Sequence, residues 1–198
     1  MSRKEIRITG FGGQGVVLSG HIIGRAYSID AGNEATMIQS FGPEARGSAC
    51  STTLVLSKGE VLYPYLQELD ALVAMSGDGY EKYKDDLNDD GILIYEKDLV
   101  KPTLKEGQPA YGITSTRIAE EIGRVIVQNI VTLGFFAAVT DLVTKEQWEN
   151  AIKDSVPAGT EELNLKAFRA GWDYFDEHYD GGKPAGQETA SIPVEKAD

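Results

Sequence analysis

The sequence predicts an α/β protein, a twisted, mostly parallel sheet with flanking helices and a helical C-terminal part. Three observations carry that reading. A short charged and β-branched run, Glu5 to Thr9, enters a glycine-rich stretch and then a helical pattern. Two short apolar runs, DALVAM and GILIY, are separated by the polar helical stretch YEKYKDDL. Beyond Gly112 the pattern is helical as far as Tyr179. A strand, a glycine turn and a helix open an α/β unit, and short apolar runs joined by polar helices are the signature of buried parallel strands with their crossovers.

Taken in order, Glu5 to Thr9 reads as a strand ending at Gly10. Gln14 to Ala31 then places Val17, Leu18, Ile22 and Tyr27 at helical spacing. Glu34 to Gln39 and Cys50 to Leu56 are β-rich runs on either side of FGPEARGSA, whose glycines and proline make a loop. Asp70 to Met75 and Gly91 to Tyr95 are the next two strands. Helices are expected at Ser115 to Glu121, through the apolar IVQNIVTLGFFAAV, and at Thr144 to Ile152. The last, Glu161 to Tyr179, carries Leu163, Leu165, Phe168, Trp172 and Phe175 on one stripe. The all-round apolar character of Val125 to Val139 predicts burial by the fold and by a neighbouring chain together, hence a hetero-oligomer. Residues 1–180 therefore read as one domain. GGKPAGQETASIPVEKAD has too little apolar content to fold alone and makes 181–198 a flexible tail.

Composition excludes several classes of function. The 198 residues hold 31 acids against 19 bases, a formal net charge of −12, which repels nucleic acid and anionic membrane surfaces. One cysteine, Cys50, can neither close an internal disulfide nor assemble an iron–sulfur or Cys₄ zinc site, and it suggests a reducing cytoplasm. No export signal or apolar run long enough for a membrane span is visible.

Gly10, Gly12 and Gly15 satisfy G-x-G-x-x-G between a strand and a helix, the Rossmann-like position for a phosphate. A dinucleotide site also wants an acid at the end of the second strand, where this sequence offers Ile38, Gln39 and Ser40. The glycines then read as a tight turn and a close packing contact, with an anion other than a dinucleotide, or a free-standing nucleotide-binding protein, as the alternatives. Gly77-Asp78-Gly79 begins like a magnesium and thiamine diphosphate motif, but no asparagine stands between Asn88 and Asn129 to complete it, so a turn is expected. His21 and His178 lie on separate helices with no triad partners, Cys50 reads as a buried inert thiol, and Asp85-Asp86, Asp89-Asp90 and Glu161-Glu162 read as solvated faces. No catalytic set and no metal site is complete.

GFGGQGVVLSG, QSFGPEARGSA, MSGDGYEKY and VPAGTEELNLKAF, in this order and over about Lys4 to Tyr174, resemble the gamma subunit of the 2-oxoacid:ferredoxin oxidoreductases. The resemblance implies a Rossmann-like subunit, not catalytic alone, of an enzyme that oxidatively decarboxylates a 2-oxoacid to an acyl-CoA and CO2. It implies alpha and beta partners with thiamine diphosphate and Mg2+ between them. It also implies iron–sulfur clusters on beta and on a ferredoxin-like delta subunit, coenzyme A as acyl acceptor, and ferredoxin or another electron acceptor. No cofactor is implied on this chain.

Gly12, Gly13, Gln14 and Gly15 match the family's glycine turn, and Gln39, Ser40, Gly42, Pro43, Glu44, Arg46 and Gly47 match its second signature loop. Both loops are expected to leave the carboxyl ends of adjacent strands and to face the thiamine-bearing subunits at one edge of the sheet. Many 2-oxoglutarate-type relatives resemble Gly-Ala-Ser-Arg-Ser-Asp where this chain has Ser48 to Thr53, SACSTT. The 2-oxoglutarate branch fits length and motifs best, with pyruvate, branched-chain, phenylglyoxylate and indolepyruvate enzymes as alternatives.

Overall fold

A computed structural model describes residues 3–41, 49–61, 63, 65, 66 and 68–179. Six strands form one sheet in the order β2-β3-β1-β4-β5-β6: β1 Arg3–Phe11, β2 Glu34–Phe41, β3 Ala49–Ser57, β4 Leu69–Ala74, β5 Leu87–Glu96 and β6 Ala110–Ile113. The helices are α1 Val16–Arg25, α2 Gly77–Tyr83, α3 Ser115–Ile122, α4 Gln128–Thr140, α5 Lys145–Lys153 and α6 Glu161–His178. The pairs β1–β4, β4–β5 and β5–β6 are parallel, whereas β3 runs antiparallel to both β1 and β2. The expected α/β, mostly parallel architecture is therefore present. The strand β6 was not expected, because four residues behind Pro109 are too short to show a period.

Each strand divides its side chains between two faces of unequal cover. Ile6, Ile8, Leu54, Leu56, Ile92 and Ile94 share one core with apolar residues of α1, α3, α4, α5 and α6. Leu69, Leu72, Ala74, Leu87 and Leu93 form a smaller one with Tyr80 of α2. The helix α4 is buried on nearly every side by this chain alone, from Asn129 to Ala137 and again at Val139 and Thr140. The expectation that a neighbour is needed to bury Val125 to Val139 is corrected here: only Val125 and Ile126, in a short 3₁₀ turn ahead of α4, remain exposed.

That burial depends on two glycines. A Cβ on Gly134 would stand 1.9 Å from the carbonyl oxygen of Phe168, and one on Gly171 would stand 1.9 Å from that of Val131. Helices α4 and α6 thus pack backbone against backbone, closer than any side chain permits. The aromatic residues Phe135, Tyr174, Phe175 and Tyr179 close around the crossing with ring centroids 5.6 to 5.9 Å apart.

The outer strand β6 is closed by a side chain. The phenol of Tyr179 accepts from the Gly112 N–H at 2.9 Å and donates to the Gly112 carbonyl at 2.8 Å, the two bonds that a further strand would make. At the other side β2 pairs with β3 and with no other strand among the described residues.

Candidate functional site: the carboxyl edge of the sheet

Parallel β1, β4, β5 and β6 all end at one edge, and β2 ends there too, because it and β1 are both antiparallel to the strand between them. The two signature segments were expected on adjacent strands. In fact β3 is inserted between β1 and β2, and the ends of those strands, Phe11 opposite Ala49 and Phe41 opposite Cys50, are separated by two strand spacings, about 10 Å. They still share the edge. Gln39 and Ser40 are exposed on β2. Gly42, Pro43, Glu44, Arg46 and Gly47 lie outside the described residues, as does the 181–198 segment.

At the end of β1 the chain turns through Gly12 and Gly13 into α1. Gly13 has φ 101° and Gly15 has φ 72°, both left-handed values that a side chain disfavours. Gln14 folds back into the turn. Its Oε1 accepts from the Phe11 N–H at 2.7 Å and its Nε2 donates to the Met75 carbonyl at 3.2 Å, while the Met75 N–H donates to the Thr9 carbonyl at 2.8 Å. The amide therefore spans the gap beyond β1 and β4, where the connection from β1 leaves toward one side of the sheet and that from β4 toward the other. In open α/β sheets this crevice is where ligands bind.

The third glycine of the motif has a different neighbour. A Cβ on Gly15 would stand 2.5 Å from the Asn129 amide, which is 3% exposed and donates to the Gly15 carbonyl at 3.4 Å. Asn129 lies 114 residues from Gly15. Gly15 thus lets the first turn of α1 approach the first turn of α4, and Gly10 leaves room for Gln14, whose Oε1 would stand 2.6 Å from an added Cβ. Tight turn and close packing, the reading favoured from sequence, is what these two glycines serve.

The remaining candidates are ordered without forming a reactive set. Gly77-Asp78-Gly79, expected as a turn, is the first turn of α2. Ser76 caps it by accepting from the Gly79 N–H at 3.2 Å, and an acid at Asp78 suits the positive end of the helix. Gly79 packs on β1, since its Cβ would stand 2.5 Å from Thr9 Oγ1. The Cys50 thiol is buried, and desolvation pushes its pKa up, away from thiolate chemistry. His21 and His178 are both exposed, with His178 stacked on Tyr174 at 4.0 Å. Asp85, Asp86, Asp89 and Asp90 are exposed as expected. Among the described residues no three His, Cys, Asp or Glu side chains converge on a metal position, and no helix is long and apolar enough to cross a membrane.

Glu96, at the end of β5, is a functional-looking carboxylate that the sequence reading missed. It is buried, and it accepts from the Ser115 hydroxyl, from the Thr116 N–H at 3.1 Å and from the Asp98 N–H at 3.3 Å. These partners make it the anchor of the first turn of α3, with its lone pairs spent inside the fold.

Residues 5–174 match the family described as pyruvate ferredoxin/flavodoxin oxidoreductase. Among curated relatives, the 2-oxoglutarate synthase subunit KorC of Methanocaldococcus jannaschii is 46% identical over 178 residues, covering 88% of this chain and 95% of its own. KorC of Methanothermobacter thermautotrophicus is 47% identical, covering 85% and 93%. The ketoisovalerate oxidoreductase subunit VorA of the same species is 32% identical over 89% of this chain but only 37% of its own length.

Among solved structures, the gamma subunit of a keto/oxoacid ferredoxin oxidoreductase from Geobacter sulfurreducens superposes with TM-score 0.76 at 38% identity, covering 86% of this chain and 96% of that one. The 2-oxoglutarate:ferredoxin oxidoreductase of Magnetococcus marinus, solved with 2-oxoglutarate, coenzyme A and succinyl-CoA, shares the fold with TM-score 0.82 at 23% identity, over 96% of this chain and 33% of that one. With a family match across most of its length and near full-length relatives above 45% identity, the chain belongs to the pyruvate ferredoxin/flavodoxin oxidoreductase family, as a gamma-type subunit.

Proposed function

We propose that this chain is the gamma subunit of a 2-oxoglutarate:ferredoxin oxidoreductase, and that it positions other subunits and is not catalytic alone. The observation that carries the substrate class is the match to KorC subunits at 46 to 47% identity, over 85 to 88% of this chain and 93 to 95% of theirs. The pyruvate synthase subunit PorC and the ketoisovalerate subunit VorA of related organisms match at 29 to 32%. The chain's own residues do not fit the cofactors of such an enzyme: one buried thiol cannot ligate a cluster, and Asp78 is built into a helix start with Gly79 packed on Thr9. In this reading thiamine diphosphate, Mg2+, iron–sulfur clusters and the coenzyme A chemistry are carried by alpha, beta and ferredoxin-like delta partners in the cytoplasm. In that assembly they supply decarboxylation, acyl transfer and electron delivery to ferredoxin.

The carboxyl edge is the surface that meets those partners. It exposes Gly13, Gln39 and Ser40, and it is braced by Gln14. Co-expression of this chain with candidate alpha, beta and delta chains from the same genome tests the proposal. A purified complex that contains all chains, holds thiamine diphosphate and reduces ferredoxin with 2-oxoglutarate in preference to pyruvate is expected. Thiamine or a stoichiometric cluster on the isolated chain, or a complex that prefers another 2-oxoacid, would refute it.

A further inference from the structure

Arg124, Val125 and Ile126 stand at the carboxyl edge for a geometric reason. Asn129, one turn further on, touches Gly15 at the end of the glycine turn, and Gln128 accepts from the Thr116 hydroxyl at 3.0 Å in the turn that follows β6. The residues just ahead of α4 are thereby held outside the sheet, between the β1 and β6 ends. Val125 is 47% and Ile126 79% exposed, while Val127 beneath them is 3% exposed.

The backbone of this projection is fixed. The Arg124 N–H donates to the Ala119 carbonyl at 3.0 Å and the Val127 N–H to the Arg124 carbonyl at 3.1 Å, behind Gly123 in a left-handed conformation. Presenting two bare aliphatic side chains on a rigid turn costs solvation and gains nothing within the chain. The third exposed aliphatic of this edge, Leu99, sits beside Gly77 past the end of β5. The other large exposed apolar residues among those described are Ile29, Tyr63, Tyr65 and Leu104.

Arg124 supplies the charge argument. Of the six described arginines, Arg3, Arg7, Arg25, Arg117 and Arg169 each hold a carboxylate, whereas Arg124 is exposed and holds none. In a chain of net charge −12 an unpaired guanidinium beside two aliphatic side chains suits an apolar socket with a carboxylate on its rim. A longer relative points to the kind of polypeptide that would offer it. In VorA the matched region is 37% of a longer chain, so in that relative this fold is covalently joined to further sequence, which keeps the two beside each other.

We infer that Arg124-Val125-Ile126 is the anchor with which this subunit docks, and that its receptor is an apolar pocket bordered by a carboxylate on the companion chain equivalent to the remainder of VorA. This rests on the proposed role as a gamma subunit. Fully desolvated anchors of this kind dominate interface energy, and arginine is enriched among them.

The test is titration of the full-length chain against the purified companion subunits, with wild type, Ile126→Asp, Arg124→Glu and, as a control elsewhere on the surface, Ile29→Asp. Binding at least tenfold weaker for Ile126→Asp and Arg124→Glu is expected, with Ile29→Asp like wild type and every isolated melting temperature unchanged. Variants at Arg124 and Ile126 that bind like wild type overturn the anchor and leave the gamma-subunit reading standing. Wild type that fails to bind overturns both.

Discussion

Gln14 spends both ends of one amide on backbone groups of two different strand ends, the Phe11 N–H and the Met75 carbonyl. Removing the amide leaves both groups to find partners in a half-buried turn, so Gln14→Ala is expected to destabilise the isolated chain by about 1–3 kcal/mol. Urea denaturation measures it, and a loss below about 0.5 kcal/mol would mean that water replaces the amide without penalty. The sequence showed that Gln14 stands inside a glycine turn. It could not show what the side chain does, because Met75 is 61 residues away. The role of Asn129 was hidden for the same reason: it fills the space above Gly15 from a segment 114 residues away that reads, by pattern, as apolar on nearly all sides.

Between elements, the α4–α6 contact makes the sharpest demand on the sequence. Gly134→Ala pushes a methyl group into the Phe168 carbonyl and Gly171→Ala another into that of Val131, so each must drive the two helices apart. A cost of about 3 kcal/mol is expected for either, at the upper end of overpacking effects. Thermal melts of the two single variants and the double variant check it. A less-than-additive double variant is expected, because the first methyl already separates the helices that the second would force apart. Element positions were legible where a period had room to run: α6 was expected at Glu161 to Tyr179 and is Glu161–His178, and α3 was expected from Ser115, where it begins. The antiparallel insertion of β3 was not legible, since strand order depends on contacts across the sheet and not on any local spacing.

For the molecule as a whole, buried phenols are expected to limit stability at alkaline pH. Burial pushes the Tyr111 pKa up to about 12 and raises Tyr27 and Tyr179 as well. An acid with a raised folded-state pKa gives stability that is complete below its unfolded value near 10 and is lost as the pH climbs through the folded value. Tyr111 alone is expected to remove about 2–3 kcal/mol between pH ~10 and ~12. Circular dichroism and tyrosinate absorbance should therefore change together on alkaline titration. Absorbance rising well before the loss of structure, with Tyr111 ionised in the native state, would contradict this. At the acid end Glu149, held below its usual range by Arg169, gives a contribution present above pH ~4.5 that fades as the pH falls through its lowered pKa. It is small, because Arg169 is half exposed.

The phenol of Tyr179 on Gly112 also fixes the valence of the sheet. A sheet with two free edges can add copies at both and grow into a filament, whereas one with a single free edge is satisfied after one pairing. With β6 occupied by its own tyrosine and only β2 unmatched among the described strands, strand-to-strand self-association of this chain has a natural stop at two copies. Tyr179→Ala turns that monovalent particle into a divalent one, and the difference would be read in the size of the species formed at high concentration.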